Sequence, residues 1–136
     1  MKNLINTDKN LKTQLLYEDI TYKIRGAIFD VYNALGSGHK EKLYQNALAK
    51  EFDNLKIEYS TESTLKVEYK GKKIGNYRPD FVVEEKIILE LKAVEFVTKT
   101  YETQILHYLK ATGFKLGLLV NFGSYPLYIR RFVWTG

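Results

Sequence analysis

Pro79-Asp80-Phe81-Val82-Val83-Glu84-Glu85-Lys86-Ile87-Ile88-Leu89-Glu90-Leu91-Lys92 is the stretch that decides how this chain reads. Two apolar runs, Phe81 to Val83 and Ile87 to Leu89, flank the polar Glu84-Glu85-Lys86, the pattern of two strands joined by a short turn. Side chains alternate across a strand, so Glu90 and Lys92 share one face while Leu89, Leu91 and Ala93 share the other. A loop of odd length centred on Glu85 sets Asp80 directly opposite Glu90 on that face. Two acids and a lysine then converge in an otherwise apolar hairpin.

Two readings compete for this trio. In one, Lys92 pairs with Asp80 or Glu90 as a cross-strand salt bridge on an exposed sheet face, an arrangement that contributes little. In the other, the two carboxylates repel until a cation lies between them, and hard divalent ions such as Mg²⁺ take oxygen ligands of this kind. The lysine would then supply positive charge where negative charge grows during phosphodiester hydrolysis. Val82 and Ile88 on the charged face, against Phe81, Val83, Leu89 and Leu91 on the other, leave both faces apolar enough to be covered. That weakens the exposed-face reading.

Residues elsewhere add to the trio. Gly36-Ser37-Gly38-His39-Lys40-Glu41-Lys42-Leu43-Tyr44 ends one amphipathic helix and begins another, with Glu41 in or near the first turn of the second and available to a metal cluster. Gln104 and Tyr108 are four residues apart in a helical stretch, so they project from one side of it. An amide and a phenol there can orient a nucleophile or hold a phosphate.

Taken in order, Gly38-x-x-Glu41-x-x-Tyr44, Tyr77-Arg78-Pro79-Asp80, Glu90-Leu91-Lys92-Ala93, Gln104-x-x-x-Tyr108-Leu109-Lys110-Ala111-Thr112-Gly113 and Gly117-Leu118-Leu119-Val120-Asn121-Phe122-Gly123 resemble the GxxExxY proteins of prokaryotes, within the PD-(D/E)xK nuclease superfamily. The resemblance runs from about Ile20 to Phe132. It implies a restriction-endonuclease-like core and a metal-dependent nuclease acting on nucleic acid, with DNA the expected substrate and Mg²⁺ the expected ion, Mn²⁺ substituting. It further implies that Asp80, Glu90 and the main-chain carbonyl of Leu91 hold the metal, that Glu41 completes the site, and that Lys92 positions or activates the attacking water. Gln104 and Tyr108 would support the site and contact substrate. The alternative is a binding or interaction module that keeps the nuclease fold without turnover. His39 departs from the pattern, in which an apolar or aromatic residue is usual at that place.

Composition agrees without deciding. A chain of 136 residues with 45% hydrophobic content is one domain with a single core, and the absence of cysteine excludes disulfides and thiolate metal sites. A cytoplasmic location is the simplest expectation, since the polar opening lacks a secretion signal and no apolar run approaches a membrane span. The net charge of +5 favours approach to polyanions. Lys66, Lys70, Lys72 and Lys73 cluster about a turn at Gly71, either as a phosphate-contacting edge or as a solvated hairpin tip. Arg78 is placed to reach a DNA phosphate or to pair with a nearby acid, and the best functional role for His39 is a phosphate contact, against a packed or solvent-facing one. A homodimer would suit a duplex or a junction, one subunit addressing each strand.

The elements read as residues 1–17, an N-terminal arm, followed by one domain over 18–136. Ile20, Ile24, Ala27, Ile28, Val31 and Leu35 predict a helix over Glu18 to Leu35, stopped by Gly36. A second helix is expected from Lys40 to Phe52 and a third from Thr98 to Thr112, the latter stopped by Gly113. Strands are expected at Ile57–Ser60, Leu65–Tyr69, Lys73–Tyr77, Leu116–Asn121 and Leu127–Trp134, beside the two of the central hairpin. The order gives an α/β fold, a three-layer sandwich with a mixed central sheet flanked by helices. No phosphate loop, GxGxxG fingerprint, nucleophile elbow or zinc set is present.

Overall fold

The computed structural model describes residues 16–136, so the expected N-terminal arm falls, up to residue 15, outside the described residues. Helices α1 (Glu18–Leu35) and α2 (Glu41–Asn54) come first. They are followed by β1 (Tyr59–Ser60), β2 (Leu65–Tyr69), β3 (Lys72–Tyr77), β4 (Phe81–Val83), β5 (Ile87–Lys92), helix α3 (Lys99–Thr112), β6 (Leu116–Asn121) and β7 (Tyr128–Val133). The five-stranded sheet has the order β1-β4-β5-β6-β7. It is mixed, because β5 and β6 run parallel while the other neighbours are antiparallel. Parallel neighbours need a crossover, and α3 supplies it.

Alternation along the strands divides the core in two. Phe81, Val83, Ile87, Leu89, Leu91, Leu116, Leu118 and Val120 pack on α1 and α2 through Ile24, Ile28, Val31, Tyr44, Leu48 and Phe52. Ile88, Leu119 and Phe132 point the other way, onto Ile105 and Leu109 of α3 and Tyr77 of β3. Helices therefore cover both faces, which makes the three layers. α3 crosses so close to the sheet that a Cβ at Gly117 would lie 3.0 Å from the Cδ1 of Ile105. Strands β2 and β3 stand apart as a two-stranded sheet beside α3, with a bulge between Val67 and Glu68. Among the described residues no helix is long and apolar enough to cross a membrane.

Sequence-read boundaries hold within two residues in the helices. α1 spans Glu18–Leu35 and is closed by Gly36, whose N–H donates to the carbonyl of Tyr32. α2 begins one residue later than expected, with Lys40 as its N-cap, and ends at Asn54. Thr98 caps α3 by accepting from the Tyr101 N–H instead of forming part of it.

Candidate active site

The central hairpin has the register that a three-residue loop requires. Phe81 pairs with Leu89, Val82 with Ile88 and Val83 with Ile87, which puts Asp80 opposite Glu90. The Lys86 N–H donates to the Val83 carbonyl around Glu84 and Glu85, which both take positive φ as in a primed turn, and Lys86 is the third loop residue before the ladder resumes. β4 begins only at Phe81, while β5 runs on past its partner to Lys92 beside β6. Pro79, which carries no N–H, precedes Asp80 at this break and cannot extend the ladder.

Side-chain carboxylates fill the place the ladder vacates. The Leu91 N–H donates to Asp80 Oδ2 at 2.7 Å, and the Asp80 N–H donates to Glu90 Oε1 at 3.0 Å. One oxygen of each acid is thus fixed by a main-chain donor. The N–H and C=O of one strand residue point to the same side, so the Leu91 carbonyl also turns toward Asp80. A small cleft of about 220 Å³ opens there, lined by Asp80, Leu91, Glu41, Lys42 and Gln45.

The α2 side of this cleft follows from the Gly-x-x-Glu-x-x-Tyr run. Gly38 has φ +102°, which an L residue rarely adopts, and turns the chain into α2 with Glu41 as its first residue. One turn further, Tyr44 is fully buried, stacks on Phe122 with ring centroids 4.3 Å apart, and donates its hydroxyl to the Gly36 carbonyl. The next residue, Gln45, donates from Nε2 to the Asp80 carbonyl at 2.9 Å. Tyr44 and Gln45 therefore fix α2 against the strand that carries Asp80.

Electrostatics mark the acids as a set. Burial, and then the charge of Asp80, push the Glu90 carboxyl up to about 7. Asp80 is also raised, by burial, against the opposing effects of the Leu91 N–H and the charges of Lys92 and Lys42. Glu41 is raised by burial first, with Asp80 adding to the shift and Lys92 opposing it. Lys92 thus acts on all three acids, and its Nζ lies 4.4 Å from the centroid of the Tyr101 ring. On the far side of Glu90, the Tyr77 hydroxyl is buried without a hydrogen bond of good geometry. Burial and the adjacent Glu90 charge raise its pKa, and its ring stacks on Tyr108 at 3.6 Å.

These donors fit a hard divalent cation: two partly buried carboxylates with raised affinity for positive charge, and a carbonyl turned the same way. Among the described residues no group of three or more His, Cys, Asp or Glu side chains is gathered to hold a metal. Glu41 lines the same cleft as Asp80 and is coupled to Asp80 by charge.

The remaining sequence candidates are dispersed. Tyr108 reaches the acids only through Tyr77. Gln104 is exposed and lines a groove with Val67, Thr100, Thr103, His107 and Tyr108, and no hydrogen bond joins it to Asp80, Glu90 or Lys92. The His39 ring nitrogen lies 3.0 Å from the Leu35 carbonyl and its ring packs edge-on to Tyr44, so His39 finishes the end of α1. Arg78 is exposed beside Pro79, and Lys72 and Lys73 lie on the exposed hairpin strand β3.

Several site residues carried no role in the sequence reading. Asn121, register partner of Lys92, is fully buried and clamps Val94 by both amide atoms, accepting from its N–H at 3.0 Å and donating to its carbonyl at 2.8 Å. Gly123 packs so tightly there that a Cβ would stand 2.3 Å from the Val94 carbonyl oxygen. A buried asparagine ending an apolar strand was the available signal; Gln45 and Tyr101 offered none.

Fold and site agree with a match of the chain, over residues 18–132, to the model of the PD-(D/E)XK nuclease superfamily. The protein belongs to that superfamily. Neither a curated protein nor a solved structure matches it.

Proposed function

We propose that the chain is a metal-dependent nuclease of the GxxExxY branch that hydrolyses phosphodiester bonds in DNA. The observation that carries this reading is the Asp80–Glu90 pair. Two acids oriented by main-chain donors, both raised by burial, face one lysine without a salt bridge to it. A divalent cation such as Mg²⁺, or Mn²⁺ in its place, supplies Lewis-acid polarisation of the phosphate and a water of lowered pKa when bound.

Asp80, Glu90 and the Leu91 carbonyl would hold that ion, with Glu41 contributing from the same cleft. The Lys92 ammonium, supported on the Tyr101 ring, orients the attacking water and stabilises charge growing on the phosphate oxygens. Tyr101 thus keeps Lys92 aimed while the buried Tyr77 lies beside Glu90. The net charge of +5 draws the polyanionic substrate to the surface.

The test is incubation of the purified protein with labelled single-stranded, duplex and branched DNA in Mg²⁺, Mn²⁺ or EDTA, alongside Asp80→Ala. Metal-dependent cutting by the parent alone is expected. Binding without metal-dependent cutting, and indifference to Asp80→Ala, would identify a non-catalytic module instead.

A further inference from the structure

The segments that follow β5 and β6 leave the sheet at the same end, because those strands are parallel and Lys92 is in register with Asn121. Each displays an aromatic side chain. Phe96, four residues past Lys92, is 75% exposed, and Tyr125, four past Asn121, is 91% exposed. Both line one cleft of about 570 Å³. Exposed rings on loose loops would carry little meaning, but these loops are fastened. Asn121 holds Val94 by two hydrogen bonds, its Oδ1 also accepts from the Gly123 N–H, and Gly123 touches the Val94 backbone. From the α1 side, the Tyr32 hydroxyl donates to the Ser124 carbonyl at 2.9 Å.

We infer that Phe96 and Tyr125 form a stacking platform for unpaired bases flanking the scissile phosphate, so that the substrate is single-stranded nucleic acid or a single-stranded segment of a branched one. This rests on the nuclease reading and adds its substrate class. Four residues of extended chain reach at most about 14 Å. The Phe96 backbone is therefore within about four nucleotide rises of Lys92. Every base has a π-face, so two exposed rings on fastened loops bind a strand without reading sequence, whereas a duplex keeps its bases stacked on one another. Glu95, which also lines the cleft, is the carboxylate beside the platform, and it disfavours a backbone phosphate running over the rings themselves. The bases, and not the backbone, are what the cleft accepts.

The test uses binding, so that it does not depend on turnover. Tyr125→Trp is placed in a Trp134→Phe, Asp80→Ala chain, and its fluorescence is followed on titration with oligothymidylate and with blunt duplex of equal length. Quenching by the single strand at a concentration at least tenfold below that of the duplex is expected. Phe96→Ala in the same chain should weaken single-strand binding about tenfold and leave duplex binding within twofold. Equal quenching by both forms, or no effect of Phe96→Ala, overturns the platform. So does self-association that disappears in Phe96→Ala without any response to nucleic acid, which would make the patch a protein contact. If the quench is seen but the parent cuts nothing in Mg²⁺, the nuclease reading fails and with it the substrate role, and the rings are left as a single-strand binding surface.

Discussion

Glu102 on α3 and Glu90 on β5 are treated in opposite ways by the same small fold. Glu102 Oε2 accepts from the Tyr128 hydroxyl at 2.6 Å and from Arg130 Nη1 at 2.8 Å. Those partners, Tyr128 first, hold its carboxyl below the ordinary range, and Tyr128 is in turn pushed up to about 12, by burial first and then by its bond to Glu102. Every charge there has an answer. Glu90 receives one main-chain donor, a second acid opposite and a buried phenol beside it, and is pushed up to about 7. A carboxylate with close partners is held below its ordinary range, whereas at the Asp80–Glu90 pair burial outweighs the main-chain donors and the charge of Lys92, and both acids are raised.

The largest expected effect separates these two places by activity. Asp80→Ala should lower metal-dependent cleavage by about 100- to 1,000-fold, the scale of losing a preorganised electrostatic group, with far-ultraviolet circular dichroism unchanged. Glu102→Gln should leave the rate within about twofold, and in denaturant titration cost about 0.5–1 kcal/mol, since its pair with Arg130 is a surface one. Lys92→Ala comes next. Cleavage should fall about 100-fold while Mn²⁺ affinity by calorimetry is retained or strengthened, because a cation facing the metal has gone. An unaltered rate would remove Lys92 from the chemistry.

The contrast also fixes a sign with pH. The folded pKa of Glu90 stands above its unfolded value, so between about 4.5 and 7 the folded chain binds the extra proton. Its stabilising contribution is full below the unfolded value and is lost as pH rises through 7. The metal-free protein should melt several degrees lower at pH 8 than at pH 5.5, and saturating Mg²⁺ should recover more at pH 8. Glu90→Gln should abolish most of that slope. Glu102, with a lowered pKa, contributes in the other direction, its stability present at neutral pH and lost in acid. A melting temperature that climbs steadily from pH 5.5 to 8 without metal would contradict this account of Glu90.

The smallest effect belongs to Tyr77→Phe, which removes a buried hydroxyl that lies beside Glu90 without a hydrogen bond of good geometry and keeps the ring on Tyr108. Metal-free stability by denaturant titration should change by no more than about 1 kcal/mol, in the stabilising direction.

Much of this was legible in local patterns. The five-residue spacing on either side of Glu85 gave the pairing of Asp80 with Glu90, because hairpin register follows from loop length. Ile24, Ala27, Ile28 and Val31 gave α1 because one apolar stripe repeats at helical spacing. The detachment of β2–β3 from the main sheet was not legible, since Leu65, Val67 and Tyr77 alternate much as a strand of the large sheet would. Nor was the Asn121–Val94 clamp, which joins residues 27 apart through a side chain. Lys92 reads from sequence either as a partner for an acid or as the residue that positions the attacking water; in the fold its ammonium lies over Tyr101, a contact between β5 and α3 that no spacing encodes. The groove with Gln104 shows the reverse case, a residue type right for the chemistry on a helix face that does not meet the acids.

The most direct test sets the two glutamates side by side. Labelled DNA in Mg²⁺ is given to the parent, to Glu90→Gln and to Glu102→Gln at equal concentration. Cutting by the parent and by Glu102→Gln, with none by Glu90→Gln, is the expected result; cutting by Glu90→Gln at the parent's rate would contradict the assignment of the Asp80–Glu90 pair as the catalytic centre.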